Sequence, residues 1–346
     1  MNSKLKFILL LFLVCSISLL SAQLRKKHPV GNFEISFADK NDFREALLPV
    51  PKNAIFKMEG FYLWDPSIIK VKNTYHLFAS RWPIGKGMNG WKESQIVRAT
   101  SKSLYGPYKF AEIVLDASTH PWATVAVHNP KITKVGNQFL LYYIGLPQYK
   151  TGFSIAENIE GPWKTIDKPV IPTNNPALMQ TPNGKFYAVG KYKSTPIIDG
   201  DRDCFMNAFE SDSLLGPYKL IGGNTNRLPY DFELEDPTIW WANNQYNVMC
   251  TDWGGKVSGI EKATILYTSK DGINYKLYSD IPILSKEELI PVRGGDSLKI
   301  FIVERPQVYT DSEGNVDALL LAVRPTTTDP SYIVIRPVKK FKPSNN

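Results

Sequence analysis

Asp65-Pro66-Ser67-Ile68-Ile69-Lys70-Val71-Lys72-Asn73-Thr74-Tyr75-His76-Leu77-Phe78 is the stretch on which the fold turns, because its pattern recurs five times. A polar residue before proline opens each copy: Asp65-Pro66, Asn129-Pro130, Asn175-Pro176, Asp236-Pro237 and Arg305-Pro306. Seven or eight residues later stands a turn dipeptide: Lys72-Asn73, Gly136-Asn137, Asn183-Gly184, Asn243-Asn244 or Glu313-Gly314. An aromatic or aliphatic run follows, as in Phe139-Leu140-Leu141-Tyr142-Tyr143. A second marker, Gly-Pro-aromatic, falls at Gly106, Gly161 and Gly216, spaced by 55 and 55 residues, and Asp271-Gly272 continues the series 56 further on. Two interleaved markers in phase describe a repeat array. Five repeats of this length predict an all-β chain, a five-bladed β-propeller with four-stranded antiparallel blades.

Each copy reads as a β-meander. Ser67–Val71 is a strand, Lys72-Asn73 its hairpin turn and Thr74–Ala79 the partner. A third strand of small and apolar residues follows, such as Ile96-Val97-Arg98-Ala99-Thr100, and the Gly-Pro marker leads into a short outer strand. Proline cannot donate to a ladder, so each repeated proline belongs at a strand start or edge. Phe33–Ser36 is expected to close the ring against Tyr332–Ile335. The segments Trp82–Glu93, Thr195–Asp203 and Thr225–Glu233 read as inserted loops that shape a binding site at one end of the scaffold.

Residues 1–22 read as a secretory signal peptide: Lys4 and Lys6, an apolar run from Phe7 to Leu20, and a small-residue cleavage site at Ser21-Ala22-Gln23. Val14 before Cys15 speaks against a lipoprotein. The expected mature chain, 23–346, is a single propeller domain with no membrane span, exported to the periplasm or the extracellular space. Only Cys204 and Cys250 remain in it, which is no disulfide framework. The formal charge of +8 is scattered without a basic run, so a nucleic-acid partner is not expected. Nothing in the chain speaks to oligomeric state.

In a propeller the first strand of every blade lines the central channel, so the residue before each proline recurs around one axis. Asp, Asn, Asn, Asp and Arg there make a polar ring, where a purely structural repeat would tend to keep one residue type. The residues just before them are Trp64, His128, Asn174, Glu235 and Glu304.

The frame Tyr62-Leu63-Trp64-Asp65-Pro66-Ser67-Ile68, with Tyr75-His76-Leu77-Phe78 and the Gly-Pro-Tyr/Trp blade ends, resembles the five-bladed β-propeller glycosidases of families 43, 32 and 117. The resemblance covers about residues 60 to 325. It implies a glycoside hydrolase in which Asp65 is base or nucleophile, a glutamate two residues before proline is the general acid, and a further aspartate tunes that acid. Two positions fit the acid: Glu235 before Asp236-Pro237, and Glu304 before Arg305-Pro306. Family 43 blade order favours Glu235 but puts Asn175 where the tuning aspartate belongs. The frame Asp65, Asp236 and Glu304 restores two aspartates and one glutamate. Strand alternation favours that second frame, since Glu235 and Asp236 should point to opposite faces. The choice stays open.

Such a set suits glycoside hydrolysis, in which one carboxylic acid protonates the departing oxygen and a second carboxylate activates water or attacks the sugar. Separations of about 5–5.5 Å go with retention and about 6.5–9.5 Å with inversion. The resemblance tilts the expectation towards an inverting, exo-acting enzyme on plant or algal polysaccharide fragments. Candidate substrate-binding residues are Trp64, Arg81, His128, Asn129, Asn175 and Arg305. No cofactor is expected. Related propellers often hold a metal ion near the axis through a late-blade histidine, whereas all four histidines here precede residue 129. A structural metal ion in the channel stays a possibility, and no spacing suggests zinc. The rivals are a phosphorylase on the same fold and a non-catalytic carbohydrate-binding propeller.

Overall fold

The computed structural model describes residues 41–193, 204–222, 227–228, 234–286 and 288–344. The expected signal peptide, Phe33–Ser36, the loop 195–203 and most of the loop 225–233 lie outside these residues. Five antiparallel meanders follow one another. The first blade runs Phe61–Val71, Thr74–Pro83, Gln95–Ser101 and Lys109–Leu115; the second Ala126–Val135, Gln138–Leu146, Lys150–Ala156 and Lys164–Thr165. The third is Asn174–Gln180, Phe186–Lys193, Cys204–Ser211 and Lys219–Leu220, with Arg227–Leu228 also paired to Cys204–Ser211. The fourth is Leu234–Ala242, Gln245–Asp252, Ala263–Ser269 and Lys276–Leu277.

The fifth blade takes Ile302–Thr310, Val316–Arg324 and Tyr332–Phe341, and its outer strand comes from the other end of the described chain. Ile55 pairs with Val334 and Phe56 with Ile333. This corrects the expected closure by Phe33–Ser36: the outer edge of Tyr332–Phe341 at those positions is taken by 55–56, and its inner edge by Val316–Arg324. The edge strand of this blade is thus only two residues long, which keeps the open edge short.

The second strand of each blade shows why the sequence closes into a ring. Successive side chains point to opposite faces. In Gln138–Leu146, Leu141 and Tyr143 pack with Phe78, Ile96 and Val127 towards blade one, whereas Leu140 and Tyr142 pack with Leu178, Ala188 and Phe209 towards blade three. Tyr187 and Val189 repeat this towards Val248 and Ile265 of blade four. Both faces are apolar because both are covered, and each fully buried large side chain contributes about 1.5–3 kcal/mol. At the hairpins, Asn243 and Asn244 adopt φ of 51° and 55°, the conformation that a two-residue turn requires. Among the described residues helix is confined to Asp42–Ala46 and four short 3-10 turns.

Candidate active site

The five residues before the repeated prolines share one conformation. Asp65, Asn129, Asn175, Asp236 and Arg305 have φ of 57°, 52°, 47°, 59° and 59°. Non-glycine residues enter this left-handed region uncommonly, and such strain concentrates at functional sites. At every one the register of the first hairpin shifts, between Trp64 and Ser67, His128 and Lys131, Asn174 and Ala177, Glu235 and Thr238, and Glu304 and Gln307. These are β-bulges, which re-aim side chains. The bulge also overturns the alternation argument. Simple pleating would have separated Glu235 from Asp236, yet the irregular backbone turns neighbouring residues towards the axis on two levels.

On the lower level the five residues join in a closed ring. The Asn129 backbone N–H donates to Asp65 Oδ2 at 3.2 Å, and Asn129 Nδ2 donates to Asn175 Oδ1 at 3.3 Å. Asn175 Nδ2 donates to Asp236 Oδ1 at 2.8 Å, and Arg305 Nη1 donates to the same oxygen. Arg305 Nε lies 3.0 Å from Asp65 Oδ1, an ion pair without the direction of a hydrogen bond, and completes the circle. Asp65 Oδ2 also accepts from Ser80 Oγ at 2.6 Å and lies 3.1 Å from His128 Nε2. His128 Nδ1 meets Ser94 Oγ at 3.0 Å. Burial pushes His128 down to about 4 despite the Asp65 charge, so its imidazole is neutral near pH 7, and Nε2 sits against Asp65 Oδ2 without the direction of a hydrogen bond.

Above the ring sits a pocket of about 240 Å³, lined by His128, Asn174, Asn175, Glu235, Glu304 and Arg305, with Trp91, Tyr149, Trp253, Ile144 and Leu146 around them. Glu235 and Glu304 are its carboxylates among the described residues, and each meets a lysine: Lys191 Nζ reaches Glu235 Oε1, and Lys262 Nζ lies 2.7 Å from Glu304 Oε1. Burial raises the Glu304 carboxyl above its ordinary range, with Lys262 and Arg305 pulling the other way. Burial likewise raises Asp236, opposed chiefly by Arg305. Arg305 is the mirror case: burial works against its charge, but Asp236 and Asp65 more than offset that.

Loops bring the aromatics in. Trp82 Nε1 donates to Gly87 O at 2.9 Å, pinning the turn that carries Trp91, whose ring centroid stands 5.5 Å from that of His128. The buried Asp252 carboxylate accepts backbone N–H bonds from Lys256, Val257 and Ser258 at 2.8–3.0 Å, which sets the loop from Trp253 to Lys262. The Lys262 ammonium then lies 4.2 Å over the Trp253 ring.

The structure thus gathers His128, Asn129, Asn175, Asp236, Arg305, Asp65, Glu235 and Glu304 in or under one pocket. Two expected ligand-binding residues lie elsewhere. Arg81 is sandwiched between Phe61 and Phe110, 4.4 and 4.9 Å from their centroids. Trp64 is buried in the core against Trp82 and does not line the pocket, although its counterparts His128, Asn174, Glu235 and Glu304 do. Trp122 is core as well, lying over Gly145 and Gly152, where a Cβ would come 2.3 and 2.5 Å from its ring. Conversely, Tyr149 and Trp253 line the pocket and Lys191 and Lys262 pair with its glutamates, none of them singled out from the sequence, whereas Asn174, noted there but not among the candidate binding residues, lines it too. The signal for Asn174 was its place before Asn175. Cys250 is buried with a free thiol. For a channel metal the residues do not fit: the ring oxygens already meet Arg305, amide and hydroxyl donors, and no described cluster of His, Cys, Asp and Glu could hold one.

No family model matches this sequence, and comparison with curated proteins found no match either. Solved structures do resemble it. A family 43 enzyme from Xanthomonas citri complexed with xylose is 13% identical, covers 85% of this chain and 91% of its own, with a TM-score of 0.59. A family 117 glycoside hydrolase of the marine bacterium Zobellia galactanivorans is 18% identical over 84% and 88%, with a TM-score of 0.59. A family 43 β-xylosidase/α-arabinofuranosidase from a compost microbial metagenome, in a calcium-free form with xylotriose, is 13% identical over 92% and 96%, with a TM-score of 0.56. The bulged inner strands therefore build the five-bladed propeller seen in glycoside hydrolases of families 43 and 117.

Proposed function

We propose that the protein is an exported, exo-acting glycoside hydrolase that removes a terminal sugar from plant or algal polysaccharide fragments, with inversion. The observation that carries this reading is the carboxylate arrangement: two aspartates locked in the ring floor and two glutamates on the wall of one small, aromatic-lined pocket. A volume of about 240 Å³ falls just below the usual ligand-pocket range of about 300–1,000 Å³, which suits one sugar unit better than a chain. Trp91, Tyr149 and Trp253 offer faces to the apolar side of a sugar ring, and His128 and Asn175 offer polar groups to its hydroxyls.

In this reading Glu304 is the general acid. It lines the pocket, and burial keeps its proton on more firmly than in an ordinary glutamate, as protonation of a departing oxygen requires. Asp65 is the base. Two donors, Ser80 Oγ and the Asn129 N–H, orient its Oδ2 beside His128 Nε2, while Oδ1 is buried without a directed hydrogen bond, an exception among buried polar atoms and a ready acceptor for a water proton. Asp65 lies beneath Arg305 and His128, so it acts only if these two side chains yield when substrate enters. Asp236 holds Arg305 and, through it, the Asp65 carboxylate. A second reading gives the base role to Glu235, which already faces the pocket.

A panel of nitrophenyl glycosides and short oligosaccharides tests the assignment. Turnover of one sugar type, lost in Asp65→Asn with the fold intact, supports it; loss in Glu235→Gln alone transfers the base role. Binding of oligosaccharides without any turnover by the wild type would favour a carbohydrate-binding propeller instead.

A further inference from the structure

One residue past each repeated proline lies a second ring, made of Ser67, Lys131, Ala177, Thr238 and Gln307, all of them buried. Four are neutral and one is a lysine. Lys131 belongs to blade two, yet its Nζ donates to the carbonyl of Pro237 in blade four, as does Gln307 Nε2 from blade five at 3.4 Å. Blades two and four are not neighbours, so a side chain joining them crosses the channel. Ala177, from the blade between, leaves the room. A buried ammonium is costly unless it is paired and hydrogen-bonded. One carbonyl does not compensate a full charge. The ring above does: Asp65 and Asp236 face a single Arg305, leaving one negative charge in excess.

We propose that Lys131 is a positioning residue, a built-in cation across the channel that offsets the ring's excess negative charge and so holds Asp65 and Asp236 on either side of Arg305. Its role in turnover rests on the glycosidase reading; its role in the charge state of the ring does not. Above Lys131 the charged and titratable groups are Asp65, Asp236, Arg305, His128, Glu235 and Glu304. Below it the channel opens into a second cavity of about 330 Å³ carrying Lys70 and Lys134, with Tyr142 and Tyr309, which burial holds above the ordinary tyrosine range. Burial lowers Lys131 itself to about 7, with Asp236 and Asp65 pulling it back up, so its charge is sensitive to the ring it serves.

The test compares wild type, Lys131→Met and Lys131→Arg in two ways. The first is thermal melting from pH 5 to 8. Asp236 is already raised by burial, and its contribution to stability is lost as pH rises; without the lysine it must ionise with less compensation. The melting-temperature gap between wild type and Lys131→Met therefore widens as pH rises, and Lys131→Arg closes it. The second is the pH profile of kcat/KM on the nitrophenyl glycoside that the wild type turns over. The acid limb moves up by about one pH unit in Lys131→Met and returns in Lys131→Arg. A folded Lys131→Met with a pH-independent melting gap, or with an unmoved acid limb, overturns the proposal. If no glycoside is turned over, the glycosidase reading fails while the melting series still decides the role of Lys131.

Discussion

The floor and the wall of the pocket treat their carboxylates differently. On the floor, Asp65 and Asp236 share one rigid guanidinium and are tied by amide and hydroxyl donors into a closed ring, with the His128 imidazole against Asp65. On the wall, Glu235 and Glu304 each face one lysine from a different strand or loop. Arginine presents a fixed planar fork, whereas lysine is a point charge on a flexible stem. The floor is therefore built to hold charge in place. The wall is built so that a proton or a ligand can change the pairing. A glycosidase needs both: an oriented base that stays ionised, and an acid that keeps and then gives up its proton.

Breaking the floor has the largest expected effect. In the proposed mechanism Asp65→Asn removes the base, and kcat/KM should fall by about 10³-fold or more. It also takes one carboxylate from Arg305, so melting temperature falls, though less than in Arg305→Met, which strips the guanidinium from both carboxylates. Full activity in a folded Asp65→Asn would end the distinction between floor and wall. Arg305→Met acts on stability, because it leaves two buried carboxylates without their partner; a loss of about 3–5 kcal/mol in denaturant unfolding is expected at neutral pH. Much of that loss should disappear at acid pH, where the orphaned carboxylates take up protons.

Breaking the wall should act more gently and on pH dependence. Lys262 holds the Glu304 carboxyl down against burial, so Lys262→Met lets it rise. Protonated Glu304 then survives to higher pH, and the alkaline limb of kcat/KM moves upward by about one unit. A downward or absent shift would detach Glu304 from the acid role. The smallest effect is expected from the aromatics. Trp253→Ala should raise KM by roughly 3- to 10-fold and leave kcat nearly unchanged, the scale of one lost ring contact. A loss confined to kcat would instead place Trp253 in the reacting geometry.

What the sequence made legible was whatever the repeat repeats. The blades, their hairpins and the polar ring could be read because x-Pro, turn and apolar run recur in phase. Within the ring, the contrast of Asp65, Asp236 and Arg305 with a uniform structural repeat was visible for the same reason. The bulge was not. It leaves no mark beyond the proline itself, and without it the pleat seemed to exclude Glu235 from the side of Asp236. Trp64 and Arg81 show the converse: Trp64 packs into the core against Trp82 although its counterparts in the other blades line the pocket, and Arg81 lies against Phe61 and Phe110. Lys191 and Lys262 reach the pocket's glutamates through pairings distant in sequence, and Trp253 enters through a loop set by Asp252. Such contacts belong to tertiary structure and have no local signature. Lys131 had one, a charge just past the second x-Pro, but its meaning depended on knowing that it reaches blade four.

The most direct measurement compares Glu304→Gln with the wild type on two substrates of the same sugar, one with a dinitrophenyl leaving group and one with an alkyl leaving group. A poor leaving group needs the proton; a good one does not. Loss of the acid should cost the alkyl glycoside about 10²- to 10⁴-fold in kcat/KM and the dinitrophenyl glycoside little. Equal losses on both substrates, or the same asymmetry appearing in Glu235→Gln and not in Glu304→Gln, would contradict the account.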